Sequence, residues 1–427
     1  MQKALKFLES HNMLASQIEI DNLVELFLHE MEAGLKGEKS SLLMIPTYIE
    51  ADNQLKLNQP VIAIDAGGTN FRTAKIFFNE KRELVIENLQ NFSMPAIERE
   101  YTKEEFFKTI AGYLRDYIDV SDKIGFCFSY AVEIFPDKDG KLIEWSKEIR
   151  APEVIGEKIG KNLLEAMGCP GKKVVLLNDT VATLLAGKAA TSGNKSDTFI
   201  GFILGTGTNT AYIEQNVNIT KIHSLDKHKS QIINIESGNF DKAPRSDIDL
   251  MFDNQTKNPG RYSFEKMFSG GYFGGLCTAV LKAAANEGLF TNSVKNQILT
   301  LPELSSQEVN NFVLESGNKP GILAGILKVD GDRELVVRMI EELISRAAKL
   351  VAANLAAVIL KTGLAKNPER PVCLTIDGTT FYRLKNFQRM FELYLKQYLR
   401  GDKQRYYQIV TVGQSSLAGA AIAGIVN

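Results

Sequence analysis

The sequence has few of the residues from which metal centres and disulfide frameworks are built. Its 427 residues include only four cysteines and four histidines. The cysteines (Cys127, Cys169, Cys277 and Cys373) are scattered and form no CxxC pair. We therefore expect neither a zinc site nor a disulfide framework, and we predict a reducing, cytoplasmic location. The histidines show no HExxH or other metal-binding spacing.

An excess of one charge and a long apolar run are also absent. There are 50 basic and 51 acidic residues, and no cluster of Lys and Arg forms a patch, so we expect no nucleic-acid partner. The most apolar helical stretch, Leu350–Leu360, is shorter than the ~20 residues that span a bilayer, which predicts a buried helix. The N-terminal residues resemble a helix and not a signal peptide. No membrane association is predicted.

Two common phosphotransfer signatures are missing as well. The sequence contains neither a GxxxxGK[ST] loop nor the HRD and DFG motifs of protein kinases.

What the chain does contain is an alternation of apolar strands and helices, which predicts an α/β fold. Its length exceeds what one hydrophobic core normally organises, which favours two lobes.

The coarse pattern predicts alternating elements, with short crossings between lobes near Gln59 and near Asp179–Lys195. Predicted helices are Ile18–Leu35, Lys103–Val120, Pro152–Met167, Thr180–Ala190, Val336–Thr362 and Ser415–Ile425. Predicted strands are Val61–Ile64, Thr73–Phe78, Ile124–Ser129, Lys173–Leu177, Phe199–Leu204, Thr210–Glu214 and Val372–Ile376.

The segment Gly67–Asn70 follows an apolar strand that ends at Asp65. Glycines let the backbone approach a ligand, and a tight turn directs consecutive N–H groups into one concavity that suits phosphate oxygens. Arg72 can add a positive charge, and Asp65 can hold a hydrated Mg²⁺ beside the phosphates. The alternative is a plain hairpin turn, since Gly and Asn are common in turns.

The same pattern recurs later in the chain. The triplet Gly68–Asn70 recurs as Gly207–Asn209, and each copy lies between two strands. A third strand ends in Asp377-Gly378-Thr379. Three such strand ends favour a nucleotide site between two lobes of related design over an isolated turn.

Asp179 is the best candidate for the general base that phosphoryl transfer to an alcohol requires. It lies between an apolar strand and a helix, where ligands meet an α/β sheet. The alternative is a helix N-cap, a position that Asp often fills. Glu236 and Glu265 could each bind two sugar hydroxyls, with Asn178 and Asn209 adding contacts. Taken singly, the ordinary explanation of each of the four is a surface residue.

The chain resembles the hexokinase family of the actin-like ATPase superfamily. The resemblance runs through segments in the family's order: Met44–Tyr48, Asp65–Arg72, Phe128-Ser129 with Trp145–Lys147, Val175–Thr183, Gly205–Asn209, Asn258–Lys266 and Asp377–Thr379. It implies two actin-like (RNase H-like) lobes around a central cleft.

The resemblance also implies roles for individual residues. ATP and a hexose would be the substrates, with Mg²⁺ present, Asp179 as the base on the sugar 6-hydroxyl, and Lys147 and Arg72 stabilising the transferred charge. The implied sugar contacts are Ser129, Ser146, Lys147, Asn178, Asp179, Asn209, Glu236 and Glu265. The implied nucleotide contacts are Asp65, Gly67, Gly68, Thr69, Asn70, Arg72, Thr206, Gly207, Asp377, Gly378, Thr379 and Ser416.

The chain departs from the family's pattern at several positions. Tyr130-Ala131 replaces Phe-Pro, Ser146 replaces Thr, Ser237 replaces Trp, and Tyr262 stands where Gln is common. These changes bear on sugar selectivity. Ser415–Ala418 replaces a segment richer in Gly and Lys, which bears on nucleotide affinity.

The prediction is therefore a hexokinase, monomeric or homodimeric. The small lobe is predicted to hold residues 60–177 and 414–427, and the large lobe residues 1–59 and 178–413. Two alternatives stay open: a sugar-binding regulator that transfers nothing, and an actin-like or chaperone ATPase that hydrolyses ATP without sugar.

Overall fold

The computed structural model describes residues 2–50, 56–145, 149–191, 195–314 and 320–427. Strands are β1 Ile45–Glu50, β2 Val61–Gly67, β3 Asn70–Phe78, β4 Leu84–Ser93, β5 Lys123–Phe128, β6 Ala131–Ile134, β7 Gly140–Glu144, β8 Lys173–Leu177, β9 Thr198–Leu204, β10 Thr208–Gln215, β11 Ser230–Asn234, β12 Val372–Asp377 and β13 Tyr407–Val410. Helices are α1 Gln2–Ser10, α2 Ile20–Lys36, α3 Lys103–Tyr113, α4 Ile159–Ala166, α5 Asp179–Ala190, α6 Asp247–Gln255, α7 Phe273–Asn286, α8 Asn292–Leu299, α9 Ser306–Leu314, α10 Ile322–Ile326, α11 Asp330–Lys361, α12 Thr379–Arg383, α13 Phe387–Tyr398 and α14 Ser415–Val426. The predicted α/β class is confirmed.

A five-stranded sheet has the strand order β4-β3-β2-β5-β8. Strands β2, β5 and β8 run parallel, whereas β3 and β4 form an antiparallel meander with β2. Residues Val61–Ala66 of β2 are all buried, as expected for a central strand covered on both faces. Because β2, β5 and β8 are parallel, their carboxyl ends meet at one edge of the sheet.

A six-stranded sheet has the strand order β1-β11-β10-β9-β12-β13. Strands β9, β12 and β13 are parallel, and β9, β10, β11 and β1 are antiparallel neighbours. The last residues of β9 and β12 lie side by side, with Asp377 opposite Ile203. This sheet therefore also gathers strand ends at one edge.

Three groups of buried side chains form the core. One lies on a face of the five-stranded sheet beneath α3 and α4, and its residues fall between Ile62 and Leu176. The second lies on the other face, where α14 and α5 supply Leu417, Ala420 and Val181. The third is the largest and surrounds α11 beside the six-stranded sheet. The helices α5 and α14 thus cover the interior between the sheets.

The helix α11 has 32 residues and is long and apolar enough to cross a membrane by length and composition. Residues 350–359 are all buried, however, and the helix packs against α1, α2 and α13. The prediction of a buried helix at Leu350–Leu360 is confirmed, with Leu360 itself half-buried.

Three predicted elements differ from those observed. The helix predicted over Lys103–Val120 ends at Tyr113 and continues as a short 3₁₀ turn. The helix predicted over Pro152–Met167 is divided, because Gly156 takes a left-handed φ of 86° between a 3₁₀ turn and α4. The crossing expected near Asp179–Lys195 is the helix α5. The lobe boundaries stay a prediction.

Candidate active site

The first turn joins β2 to β3 at the edge of the five-stranded sheet. Asp65 is buried at the end of β2, and Arg72 lies opposite it on β3. The Arg72 Nε donates to Asp65 Oδ2 at 3.0 Å, and an Arg72 terminal nitrogen bonds to the same oxygen. The carboxylate predicted near Mg²⁺ and the guanidinium predicted near phosphate are therefore held beside each other.

Gly67 pairs with Asn70, so Gly68 and Thr69 form a two-residue turn, and Gly68 has a left-handed φ of 63° that favours glycine. Thr69 and Asn70 are exposed, as a ligand-binding turn requires. The hydroxyl of Tyr130 donates to the Gly68 carbonyl at 3.1 Å. Sequence reasoning recorded Tyr130 only as a departure; the structure makes it a support of this turn.

Ser129 and Cys127 lie at the carboxyl end of β5, next to the first turn. The Ser129 backbone N–H donates to the Ala66 carbonyl at 3.0 Å. Burial raises the pKa of the Cys127 thiol well above its ordinary value, and the charges of Asp65 and Asp179 raise it further. The buried thiol therefore lies within electrostatic reach of both carboxylates, which places them around one edge of the sheet.

The structure decides which residue caps α5. The Asn178 side chain accepts a hydrogen bond from the Thr180 backbone N–H at 2.8 Å and is the N-cap, so the alternative that Asp179 is the cap is wrong. Asp179 is the first residue of the helix and is half-buried. The positive end of the helix dipole favours an ionised carboxylate there.

Amide side chains connect the two sheets. Asn209, buried on β10, donates through Nδ2 to Asn234 Oδ1 at 2.7 Å, to Glu236 Oε1 at 3.3 Å and to Asn178 Oδ1 at 3.3 Å. Asn234 donates to Glu236 Oε1 at 2.8 Å. Asn234 was missed in the sequence; its signal is its place on β11, two residues before Glu236.

Glu236 follows β11 in a left-handed conformation with φ 59°. Such a conformation costs a non-glycine residue roughly 1–3 kcal/mol and is found mainly at functional sites. Burial raises the pKa of Glu236, the charge of Asp179 raises it further, and the amides of Asn234 and Asn209 partly oppose this. Asn209, which bonds to both Glu236 and Asn178, links Glu236 to the residue next to Asp179.

Glu265 lies against the second turn. Its Oε2 accepts a hydrogen bond from the Thr208 backbone N–H at 2.8 Å. A Cβ placed on Gly207 would stand 2.6 Å from that same oxygen, so a larger residue there would displace the Glu265 carboxylate. Behind it, Lys266 is buried and bonds to Asp253 Oδ1 at 2.5 Å. The sugar-side carboxylate is thus held against a predicted phosphate turn.

The second turn comprises Gly205, Thr206 and Gly207, between β9 and β10. The Gly205 carbonyl accepts from the Gly270 N–H and from the Thr380 hydroxyl, both at 2.8 Å. The Gly271 N–H donates to the Thr206 carbonyl at 2.8 Å, and Thr206 is exposed. Gly270, Gly271 and Thr380 were not predicted, because they reach this turn from distant segments.

The third strand end adjoins the second turn. Asp377 accepts from the Gly378 N–H at 2.6 Å and from the Ser415 hydroxyl, which also lies 3.3 Å from the Thr183 hydroxyl. The prediction named Ser416, which is half-buried, whereas Ser415 is the serine in contact with Asp377. Thr379 is exposed at the start of α12.

Two predicted sugar contacts, Ser146 and Lys147, lie outside the described residues. Within the parts of the chain that the structure describes, no group of three or more His, Cys, Asp and Glu could hold a metal ion. Mg²⁺ usually binds through one or two carboxylates, waters and substrate phosphates. Asp65, a lone carboxylate beside a phosphate turn, fits that manner of binding.

A cavity of about 610 Å³ lies beside the five-stranded sheet, away from the residues described above. Residues 136–139, the start of β8 and Asn427 line it. Large pockets are the default candidates for ligand sites. This cavity, however, contains none of the residues predicted for phosphate or sugar, and it adjoins the amino end of β8, opposite the edge where Asn178 and Asp179 lie.

Comparison with known proteins gives a consistent result. Two family models, each described as hexokinase, match residues 6–189 and 199–426. The chain is 32% identical to Hexokinase-1 of Spinacia oleracea, covering 92% of this chain and 84% of the relative, and 27% identical to the glucokinase of Aspergillus niger, covering 90% and 87%. Its structure is similar to a hexokinase from Schistosoma mansoni complexed with glucose, with a TM-score of 0.79, 24% identity and 99% of each chain covered. The fold is the two-lobed actin-like ATPase fold with a central cleft.

Proposed function

The chain belongs to the hexokinase family, and from this we propose that it transfers the γ-phosphate of ATP to the 6-hydroxyl of a hexose such as glucose. The observation that carries the proposal is the cluster around Asp179. Asn178 and Asp179 follow β8 of one sheet, Asn209 lies on β10 of the other, Glu236 follows β11, and Asn209 bonds to both Asn178 and Glu236. This arrangement supports a cleft in which a base, sugar ligands and phosphate ligands would act together.

The sugar side suits a ligand with many hydroxyls. The carboxylates of Glu236 and Glu265 accept hydrogen bonds, and the amides of Asn178 and Asn209 both donate and accept them. A saturated network of this kind discriminates strongly, because a missing hydroxyl leaves buried polar groups unpaired. We assign hexose binding to Ser129, Ser146, Lys147, Asn178, Asp179, Asn209, Glu236 and Glu265.

Asp179 is assigned as the general base. It is the first residue of α5, where the helix dipole favours negative charge, and a carboxylate can accept the hydroxyl proton as the phosphoryl group is transferred. The N–H groups of the turns and the side chains of Arg72 and Lys147 would stabilise charge on the transferring group.

The nucleotide is assigned to the two turns and to Asp377–Thr379 with Ser416. Mg²⁺, held through water by Asp65, would neutralise phosphate charge. Arg72 is paired with Asp65, so its positive charge lies beside the position proposed for Mg²⁺ and the phosphates. We further propose a cytoplasmic, monomeric or homodimeric enzyme; all four cysteines, each within the described residues, are free thiols.

The test is an ADP-release assay with a panel of hexoses and nucleotides. We expect ADP release that depends on hexose, with product phosphorylated at the 6-hydroxyl. ATP hydrolysis without any hexose would identify an actin-like ATPase instead. Hexose binding without ADP release would identify a non-catalytic regulator. Chelation of divalent cations should abolish turnover if Mg²⁺ is required.

A further inference from the structure

An ion pair joins two segments that flank the sugar-side residues. Glu144 is the last residue of β7, and Arg261 and Tyr262 come shortly before Glu265. The Arg261 Nη1 donates to Glu144 Oε2 at 2.9 Å and Nη2 to Oε1 at 2.5 Å, in a bidentate arrangement. The Tyr262 hydroxyl donates to Glu144 Oε1 at 2.8 Å. Three donors thus converge on one carboxylate.

The two partners belong to different parts of the fold. Strand β7 pairs with β6, and Leu142 and Val132 of this hairpin pack into the core of the five-stranded sheet. Arg261 and Tyr262 follow α6, and Phe264 and Met267 of the same segment pack into the core of the six-stranded unit. The contact therefore spans the two walls of the cleft, 117 residues apart in sequence.

Tyr262 has an unusual backbone conformation. It takes a left-handed φ of 53°, which a tyrosine rarely adopts. Burial raises the pKa of its hydroxyl, and the charges of both Glu144 and Glu236 contribute to the rise. Tyr262 therefore contacts Glu144 directly and is close enough to Glu236, a carboxylate assigned to sugar, to be affected by its charge.

We propose that Glu144, Arg261 and Tyr262 form a clasp that holds the two walls of the cleft in the hexose-binding arrangement and so sets hexose affinity. This inference rests on the proposed function. The clasp residues are positioning residues: they fix the end of β7 against the segment that carries Glu265. Holding a site in its bound geometry lowers the cost of binding without adding contacts to the ligand.

Trp145 provides a direct reporter of this contact. It is the only tryptophan in the chain and follows Glu144 immediately. Its Nε1 donates to the Ala151 carbonyl at 2.8 Å, and its ring packs against Tyr130, which supports the first phosphate turn. We therefore expect the fluorescence of Trp145 to change when hexose binds beside the clasp in the absence of nucleotide.

The experiment is a double-mutant cycle with Glu144→Gln, Arg261→Gln and the double variant. Each single variant should raise the KM for hexose about 3- to 10-fold, the scale of a partly exposed bidentate pair, while the KM for ATP changes less than about 2-fold. The KM for hexose of the double variant should not exceed that of the single variant with the higher KM, because either single substitution already breaks the pair. Hexose Kd values from Trp145 fluorescence should show the same pattern.

Arg99→Gln is the matched control. It breaks an exposed Arg99–Glu105 pair of similar exposure that lies entirely within the five-stranded unit. It should leave both KM values unchanged. Raised ionic strength should weaken hexose binding in the wild type more than in Glu144→Gln, since exposed charges are screened.

The outcomes separate the two proposals. Unchanged hexose KM values in the clasp variants, equal rises in both KM values, or additive effects in the double variant would overturn the clasp while leaving the kinase intact. A wild-type chain that releases no ADP with any hexose would overturn the proposed function and, with it, the clasp as a device for hexose.

Discussion

Two turns of the molecule share the triplet Gly-Thr-Asn, and their asparagines have opposite surroundings. Asn70 is exposed beside the first turn, whereas Asn209 is buried and donates to three side chains. The first turn has two residues, Gly68 and Thr69, but the second has three, which moves Asn209 one position further into its strand. One extra residue therefore changes what the same triplet can contact.

The difference shows that two copies of one sequence triplet can place the same residue type in different surroundings and so suit it to different contacts. Side chains alternate between the faces of a strand, so a shift of one residue turns a side chain to the opposite face. The first turn keeps its polar groups toward solvent, where a nucleotide phosphate would lie. The second places Asn209 among the residues proposed to bind sugar, and it leaves Thr206 and the turn backbone free for the proposed phosphate contacts.

The largest expected effect comes from Asp179, which lies where the two regions meet. Asp179→Ala should lower kcat by about 10²- to 10⁴-fold, the usual contribution of a general base, while hexose binding measured by Trp145 fluorescence persists. Steady-state kinetics and fluorescence titration check this. A kcat close to that of the wild type would contradict the assignment of the base.

The sugar side should respond separately from the nucleotide side. Glu236→Gln and Glu265→Gln should each raise the hexose KM by about 10- to 100-fold, since hydrogen bonds to a charged group are worth ~1.5–3 kcal/mol. The ATP KM should change much less. Equal changes in the two KM values would count against both residues as sugar ligands.

Asn70 and Asn209 provide a matched pair of positions for testing the difference between the two turns. Asn209→Ala should lower the free energy of unfolding by about 1–3 kcal/mol, because buried partners lose their hydrogen bonds. Asn70→Ala should change it by less than ~0.5 kcal/mol, as for exposed positions generally, and should affect only the ATP KM. Urea unfolding and kinetics of both variants test this; similar losses of stability would remove the distinction between the turns.

The smallest effect concerns the pH dependence of stability. The pKa of Glu236 is raised above its ordinary value of 4.5, chiefly by burial, so ionising it in the folded state costs free energy. Below pH 4.5 the group is protonated in both states and the cost vanishes; it grows as pH rises through the raised pKa. Glu236→Gln should therefore raise Tm at pH 7 relative to wild type and give no gain at pH 4. An equal gain at both pH values would show another cause.

Much of the fold follows from local patterns. Continuous apolar runs marked β2, β8, β9 and β12, and the polar or glycine residue at the end of each run marked the edge proposed for the site. The position of Asp179 was recognisable because a strand stops and a helix starts there. These features depend on near neighbours in sequence, which is why they were predictable.

Contacts between distant segments were not predictable in the same way. Thr380 reaches the Gly205 carbonyl across 175 residues, and no local pattern marks such a partner. The choice between Ser415 and Ser416 depends on how α14 is rotated about its axis, since neighbouring residues on a helix point in directions about 100° apart. Only the packing of α14 against α5 and the sheet decides it.

The packing of α14 also bears on the order in which the protein is made. One face of the five-stranded sheet is covered by residues between Ile62 and Leu176, and that half of its core can form early. The other face is covered by α5 and by Leu417, Ala420 and Ile425 of α14, which lie some 240 residues beyond β8 in the sequence. During translation the nascent sheet therefore keeps part of an apolar face open until α14 has been made.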